Sequence, residues 1–559
     1  MTKFFKDEKK RPIIIGFWSS QSSQQFFLQI KVAKDFLSNS FYWKLSTNTP
    51  DVSDCLLTVI NCRKTSSYLI YTLACNGKKI LHSTNWYIVL EYNNIHSDRP
   101  LKIEVEDTSL LMKAKLFPDG YSRRLNLSHK KVIYPSLNTS MKFGIIQRQI
   151  TKFEEKNFLT KAKLMYLTVL PFLPFINQIN IWLFFEKNAV SAHENAFIVY
   201  KQMRKKFPRR KVFYVITDGA KEKVDLNDDH ILILGTKKYY CILFLSRVLL
   251  SSDTRYHVLG DSQFHRSLLV QKTSKKVHIF LQHGMNGIKK VPMFHNGHGQ
   301  IDYLVAASEW ESELFQNQWH YSKKKIIVSG LPRWDMLENN VPKLLSQKTV
   351  KILIMPTWRD QFVNMSNNDF LQTDFVLSYQ DMFSNSEFID MLHKFKAEVI
   401  FVLHPKMKQF EQILEKLFSV QVRDIDQVNE FLSDSAILIT DYSSIAWDMA
   451  YINKPVIYFQ YDQENFKRKY GSYLTINELP GYVSTDIDDV VSLIYTVLSS
   501  NRRLESQDSE KFFTWHDKNN TSRLITKLVT MDKKFNVHRR SYLTRKLMMQ
   551  LKQRFIRHF

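Results

Sequence analysis

From residue 181 onward the chain repeats one pattern: a short continuous apolar run, a stretch with helical periodicity, then another apolar run. Ile181–Phe185, Lys211–Ile216, His230–Leu234, Val277–Leu281 and Ile301–Val305 form one series, with a helix expected over Asn195–Lys205. Lys351–Met355, Val399–Leu403, Ala436–Ile439 and Val456–Phe459 form a second series. Strands that are apolar on both faces must be covered on both faces, as in parallel sheets wound with helices. The pattern predicts an α/β fold: a pair of Rossmann-like domains with parallel sheets, facing each other across a cleft. A polar join near 338–350 separates them, giving domains over 181–340 and 341–530.

At 559 residues the chain exceeds what one hydrophobic core organises. Residues 1–150 read differently from the rest. Leu56–Ile60, Trp86–Leu90 and Lys102–Glu106 are rich in β-formers and are separated by turn signals such as Asn76-Gly77 and Asp119-Gly120, which predicts a small β-rich accessory domain. Residues 151–180 form a linker. Its apolar piece Leu164–Leu170 suits either a membrane surface or a packed helix, and Pro171, Pro174 and Asn177 interrupt it before the roughly 18–20 residues of a spanning helix. The apolar piece Ile13–Trp18 is too short for a signal peptide. Cys55, Cys62, Cys75 and Cys241 have no ligand-like spacing, so reduced thiols are expected, with no zinc site.

The formal charge of +25 implies an anionic partner. Part of it sits in residues 531–559: Lys533 to Phe559 holds nine Lys or Arg and no acidic residue. Leu543, Leu547, Met548, Leu551, Phe555 and Phe559 share one arc of a helix there. A basic amphipathic tail of this kind suits an anionic membrane surface. No nucleic-acid-binding motif accompanies it, so nucleic acid is not the expected partner.

Candidate chemistry lies just beyond the strands, where open α/β sheets bind ligands. Thr440-Asp441-Tyr442-Ser443-Ser444 turns from an apolar run into a helical pattern, so backbone N–H groups and the hydroxyls of Ser443 and Ser444 converge on a place suited to phosphate. A bare helix cap is the plainer reading of the same serines. Gln282-His283-Gly284 places a histidine after a strand, followed by a glycine that permits close approach, which suits a general base. Arg359 could grip a phosphate with Asp360 orienting it, and His404 with Lys406 would add donors. The acidic pairs Asp228-Asp229 and Asp486/Asp488-Asp489 fall at the wrong strand end or in a helix's first turn, so no metal and no other cofactor is expected.

The ordered set His283-Gly284, Gly330-Leu331-Pro332-Arg333-Trp334-Asp335, Pro356-Thr357-Trp358-Arg359-Asp360, His404-Pro405 and Thr440–Ser444 resembles the CDP-glycerol glycerophosphotransferase family, the teichoic acid primases and polymerases. The resemblance covers about residues 180–500. It implies a GT-B fold and transfer of glycerol or ribitol phosphate from a CDP-polyol to a hydroxyl of a lipid-linked, polyprenyl-diphosphate acceptor, with release of CMP. By the same resemblance His283 would be the base, with Arg333 and Asp335 beside it in the catalytic cleft. Arg359, His404, Ser443 and Ser444 would hold the donor's pyrophosphate, and Asp360, Lys406 and Asp441, on the same loops, are counted with them as donor-binding residues. The implied location is the cytoplasmic face of the cell membrane, peripheral, and a homo-oligomer is compatible with it. The family's first motif usually reads Trp-His-Gly-Thr followed by Pro-x-Lys. This chain has Gln282 before His283 and Met285-Asn286-Gly287-Ile288-Lys289-Lys290 after Gly284, a departure that bears on the acceptor and the polyol. Two other readings share these residues: a GT-B glycosyltransferase using a nucleotide sugar, and a non-catalytic membrane-bound scaffold.

Overall fold

The computed structural model describes residues 13–34, 41–46, 55–76, 85–92, 101–102, 124–127, 130–137, 143–150, 155–225, 227–259, 269, 273–296, 301–338, 350–362, 365–423, 425–500, 509–538 and 545. The expected boundary at 339–349 and the tail's apolar arc lie outside these residues.

The first part of the chain is an antiparallel sheet. Its strands are β1 (Ile13–Ser20), β2 (Gln25–Ala33), β3 (Phe41–Ser46), β4 (Cys55–Lys64), β5 (Tyr68–Asn76), β6 (Asn85–Tyr92), β7 (Leu101–Lys102), β8 (Leu125–Asn126), β9 (Lys131–Leu137) and β10 (Phe143–Gln149). They run in the order β1-β2-β5-β4-β3-β6-β10-β9-β8, with β7 on β6. Alternation along β2 buries Phe26, Leu28, Ile30 and Val32 on one face, as a one-sided sheet requires.

Two parallel sheets follow. The first holds β11 (Ile181–Phe185), β12 (Val212–Ile216), β13 (Ile231–Ile233), β14 (Ser246–Ser251), β15 (Val277–Phe280), β16 (Tyr303–Ala306) and β17 (Ile326–Val328), in the order β13-β12-β11-β14-β15-β16-β17. The second holds β18 (Val350–Ile354), β19 (Ala397–Val402), β20 (Val422–Arg423), β21 (Ile437–Thr440), β22 (Val456–Phe459) and β23 (Tyr482–Ser484), in the order β20-β19-β18-β21-β22-β23. Both reverse direction beside their first strand, which is the Rossmann order with its crevice between the first and fourth strands. The fold is therefore the GT-B-like pair expected, behind a β-rich N-terminal sheet. Sequence reading missed β14, β17, β20 and β23: the helix Lys237–Leu245 runs into β14 with no loop between, and the other three are only two or three residues long.

The chain crosses between the two sheets more than once. The helix Asn520–Thr530 was expected in the second domain, yet Leu524, Ile525 and Leu528 pack with Trp182, Val199, Tyr303 and Ile327 in the first domain's core. Gly330 makes room for it: at φ +83°, a Cβ there would lie 1.8 Å from Asn520 Oδ1.

The linker forms the helix Lys156–Val169, a 3-10 section Leu170–Phe175 that accommodates both prolines, and a final turn Ile176–Ile179. Ala162 and Val169 dock on the first domain. Leu164, Leu167, Leu170, Phe172 and Phe175 are exposed, at 46–61%. Asn157–Ile179 is a helical stretch of 23 residues, long and apolar enough by length and composition to cross a membrane, so the prolines do not end it as the sequence suggested.

Leu524→Ala is expected to lower stability by about 2–5 kcal/mol, as large-to-small changes in a closed core do. Denaturant unfolding checks this, with the loss falling in the step that unfolds the first sheet.

Candidate active site

His283 follows β15 across Gln282, which adopts φ 64° and turns the chain sharply. The ring is 54% exposed, and its Nδ1 lies 2.6 Å from Glu194 Oε2. A carboxylate can only accept, so the neutral ring carries its proton on Nδ1 and presents Nε2 as the base. Burial alone would raise the Glu194 carboxyl, but His283, Arg333 and His193 hold it below the ordinary range. Glu194 starts the helix Asn195–Lys206 and carried no signal in the sequence, where it is one acidic residue among several. Behind it, burial and the charge of Glu194 keep the Glu186 carboxyl well above its usual range, while Ala196 and Phe197 N–H donate to Glu186 Oε1.

The loop bearing His283 is pinned by two side chains of its own domain. Asn195 Nδ2 donates to the Gln282 carbonyl at 2.9 Å, and Arg333 Nη1 donates to the His283 carbonyl at 2.6 Å. Arg333 also pairs with Asp448, on the helix Ile445–Tyr451 of the second domain, and Trp334 Nε1 donates to the same carboxylate at 2.6 Å. Arg333 thus lies between the two domains and locks the base loop to the opposite one. A Cβ on Gly284 would lie 2.8 Å from Ser444 Oγ and 3.2 Å from Arg333 Nη2, so only glycine lets the base loop approach the serine loop this closely.

The departure at Gln282 acquires a reason. Its buried amide donates to the Val305 carbonyl at 2.6 Å and to Glu311 Oε2 at 2.7 Å, and Asn286 donates back to Gln282 Oε1. Glu311 also accepts from the N–H groups of Asn286 and Ala307, each at 2.7 Å. A polar residue before the histidine is tolerated because this carboxylate satisfies it.

On the second domain, Ser443 and Ser444 are half-buried beyond β21. Ser444 occupies the cap position without a side-chain capping bond, which leaves its hydroxyl at the cleft. His404 Nδ1 accepts from Lys406 N–H at 3.2 Å, so the ring's proton is on Nε2. Trp358 stacks on His404 at 5.5 Å, and Lys406 Nζ lies 3.7 Å above the Trp358 ring. Burial, then the charges of Lys187, Lys406 and His283, push the His404 ring down to about 4. A neutral His404 therefore faces the cleft as a donor, close enough to His283 to feel its charge.

Three expected site residues have their side chains engaged inside the protein. Arg359 is buried and bonds Asp462 through Nε at 2.9 Å, Asp441 at 3.0 Å and the Thr357 carbonyl at 2.6 Å. With its donors engaged inside the protein, it builds the floor of the second domain's crevice. Asp441 is fully buried and accepts from Thr357 and Tyr442 N–H, so it belongs to the same floor. Asp335 caps the helix Asn520–Thr530, accepting from Asn520 N–H at 3.0 Å and Thr521 N–H at 2.8 Å. The Asp360 side chain lies outside the described residues. The acidic pairs set aside above act locally: Asp228 accepts from Tyr200 and His230, and Asp486 from Asp488 and Asp489.

Burial pushes the Glu311 carboxyl up to about 7, despite the N–H groups that favour its anion. A folded value above the unfolded one, about 4.5, gives stabilisation that is complete below 4.5 and lost as pH rises through 7. Glu311→Gln removes this titration. The thermal midpoint of the wild type relative to Glu311→Gln should therefore fall between pH 5 and about 8, and parallel pH profiles would exclude it.

Residues 166–530 match the family described as CDP-Glycerol:Poly(glycerophosphate) glycerophosphotransferase. Among curated relatives, the minor teichoic acid biosynthesis protein GgaB of Bacillus subtilis (strain 168) is 25% identical over 427 residues, covering 72% of this chain and 46% of GgaB. The teichoic acid glycerol-phosphate primase of the same organism is 25% identical over 301 residues, covering 49% of this chain and 74% of the primase. This chain thus spans about half the length of GgaB. A solved structure of the wall teichoic acid polymerase TagF aligns with 68% of this chain and 98% of its own, at 15% identity and a TM-score of 0.49. With well over half of its length matched, the chain belongs to the CDP-glycerol:poly(glycerophosphate) glycerophosphotransferase family.

Proposed function

We propose that this protein transfers glycerol or ribitol phosphate from a CDP-polyol to a hydroxyl of a lipid-linked acceptor, releasing CMP, in the synthesis of a teichoic acid-like surface polymer. The observation that carries the reading is the His283–Glu194 pair, which leaves a basic Nε2 across the cleft from Ser443, Ser444 and His404. Nε2 takes the proton of the acceptor hydroxyl as its oxygen attacks the distal phosphorus of the donor. The bond from that phosphorus to the CMP oxygen breaks in line. Glu194 stabilises the imidazolium that forms. The hydroxyls of Ser443 and Ser444 and the His404 Nε2–H donate to the diphosphate as charge moves onto the leaving CMP. The family includes both glycerol-phosphate and ribitol-phosphate enzymes by name, which supports a polyol phosphate and leaves the polyol to assay.

A lipid-borne acceptor calls for a membrane contact, and the linker supports one. Its exposed Leu164, Leu167, Leu170, Phe172 and Phe175 would lie among acyl chains on the cytoplasmic face of the cell membrane. Beside the linker's last turn, a groove of about 640 Å³ is lined by Gln178, Ile179, Lys206, Arg209 and Lys211, a basic rim at the depth of anionic headgroups. The basic tail would add to this attraction.

CMP release from CDP-glycerol and from CDP-ribitol, with a lipid-linked acceptor, tests the chemistry. His283→Ala should lower kcat by about 10²–10⁴, the range for loss of a general base; an unchanged rate would remove His283 from the mechanism. Co-sedimentation with phosphatidylglycerol vesicles tests the contact. The double variant Leu167→Glu/Phe172→Glu should bind at least about tenfold more weakly, since each buried apolar side chain contributes ~1.5–3 kcal/mol. Equal binding would reject this face.

A further inference from the structure

The loop after β11 enters the crevice of the first domain, and nothing in the proposed chemistry has yet used it. β11 and β14 are the neighbours at which the strand order reverses, so the loops leaving them diverge to opposite faces of the sheet and open the ligand crevice between them. At this point the chain reads Glu186-Lys187-Asn188-Ala189. Asn188 and Ala189 both take left-handed backbone conformations, at φ 54° and 55°. Two consecutive non-glycine residues there are costly, and such strain persists only where the surroundings enforce it. They do so here: Ala189 N–H donates to the Glu186 carbonyl, Thr217 N–H donates to the Ala189 carbonyl at 2.7 Å, and His257 Nδ1 lies 2.6 Å from Asn188 Oδ1. The strained turn holds Lys187 out of the protein body, with its side chain exposed at the carboxyl end of the strand.

Lys187 follows Glu186, whose carboxyl accepts from the first turn of the helix that Glu194 begins, so it lies on the same wall of the crevice as the His283–Glu194 pair. Its charge is felt by His404 and by Asp253 at the end of β14. Asp253 is in turn balanced by His257, 3.5 Å away. Lys187 and the base thus share one wall of the crevice, within electrostatic reach of the neutral imidazole on the second domain.

We propose that Lys187 is a substrate-binding residue that donates from its ammonium to the distal phosphate of the donor, the group being transferred, opposite His404. This rests on the nucleotide-diphosphate donor proposed above. Lys187 neither gives nor takes a proton. It neutralises the non-bridging oxygens of the phosphate while the acceptor oxygen bonds to phosphorus and the CMP oxygen departs, and it offsets like-charge repulsion between that phosphate and an anionic acceptor. Because it sits on the first domain, it also gives the donor a contact on both sides of the cleft.

The test separates the two phosphates. CDP carries the distal phosphate and CMP does not, so calorimetric titration of each into wild type, Lys187→Met and Lys187→Arg reads the contact directly. Lys187→Met should weaken CDP about tenfold, as loss of one charge-assisted hydrogen bond does, leave CMP within about twofold, and be largely restored by Lys187→Arg. Equal weakening of both nucleotides, or none, overturns the proposal. An unchanged thermal midpoint excludes misfolding, and because Lys187→Arg keeps the charge on the same strained turn, its recovery separates lost charge from a distorted loop. If the wild type prefers UDP to CDP, the cytidine reading fails, and the UDP and UMP pair still reads Lys187. Binding of none of the four overturns both.

Discussion

The cleft depends on the carboxylate of Asp448. It is almost wholly buried where the two Rossmann-like domains meet, and it accepts from Arg333 and Trp334 of the other domain. A buried charge that lost such partners would be left uncompensated, at a cost of several kcal/mol, so the contact enforces one relative placement of the domains. Trp334 also stacks on Tyr451 at 4.2 Å, which adds shape to the charge. From the far side of its guanidinium Arg333 reaches the His283 carbonyl, and its own N–H donates to Asn195 Oδ1. One ion pair thereby sets the distance between the base loop and the serine loop.

Charge is sorted by depth around that latch. Glu186, Glu311, Asp441 and Asp448 lie behind the cleft, each satisfied by N–H groups, amides or guanidinium. Lys187, His283 and His404 are presented toward the opening. Buried acids hold the loops in place and leave the forward positions to an ammonium and two imidazoles, which suits the anionic substrate proposed above. Arg359 belongs to the buried layer too: an arginine at a strand end invites a phosphate, and here its guanidinium is held between Asp441 and Asp462. The Gln282–Asn286–Glu311 network belongs to the same rear layer, and it explains how the loop keeps its shape with a polar residue where the family usually has tryptophan.

The reach of sequence reasoning differs between the fold and the site. Periodicity identified both parallel series because a strand covered on both faces must be apolar throughout, and this property is written locally. It overlooked β14 because a helix feeds it with no loop between, and it left residues 520–530 with the second domain because chain order is silent about which core a late helix rejoins. It also located the loops that bear His283, His404, Ser443 and Ser444, since ligand loops in such sheets follow the carboxyl ends of strands.

What the sequence by itself determined is therefore the kind of domain, the pairing of two of them, and the loops in which chemistry is placed. Local composition sets secondary structure, and strand order sets the end at which a crevice opens. Only the tertiary structure decided which side chains in those loops point into the cleft. Arg359 and Asp335 turn inward because carboxylates or helix N–H groups from distant segments wait for them, whereas Glu194 lies against His283 although 89 residues separate the two. Side-chain direction is settled by what packs around a loop, and those neighbours come from parts of the chain that no local pattern connects.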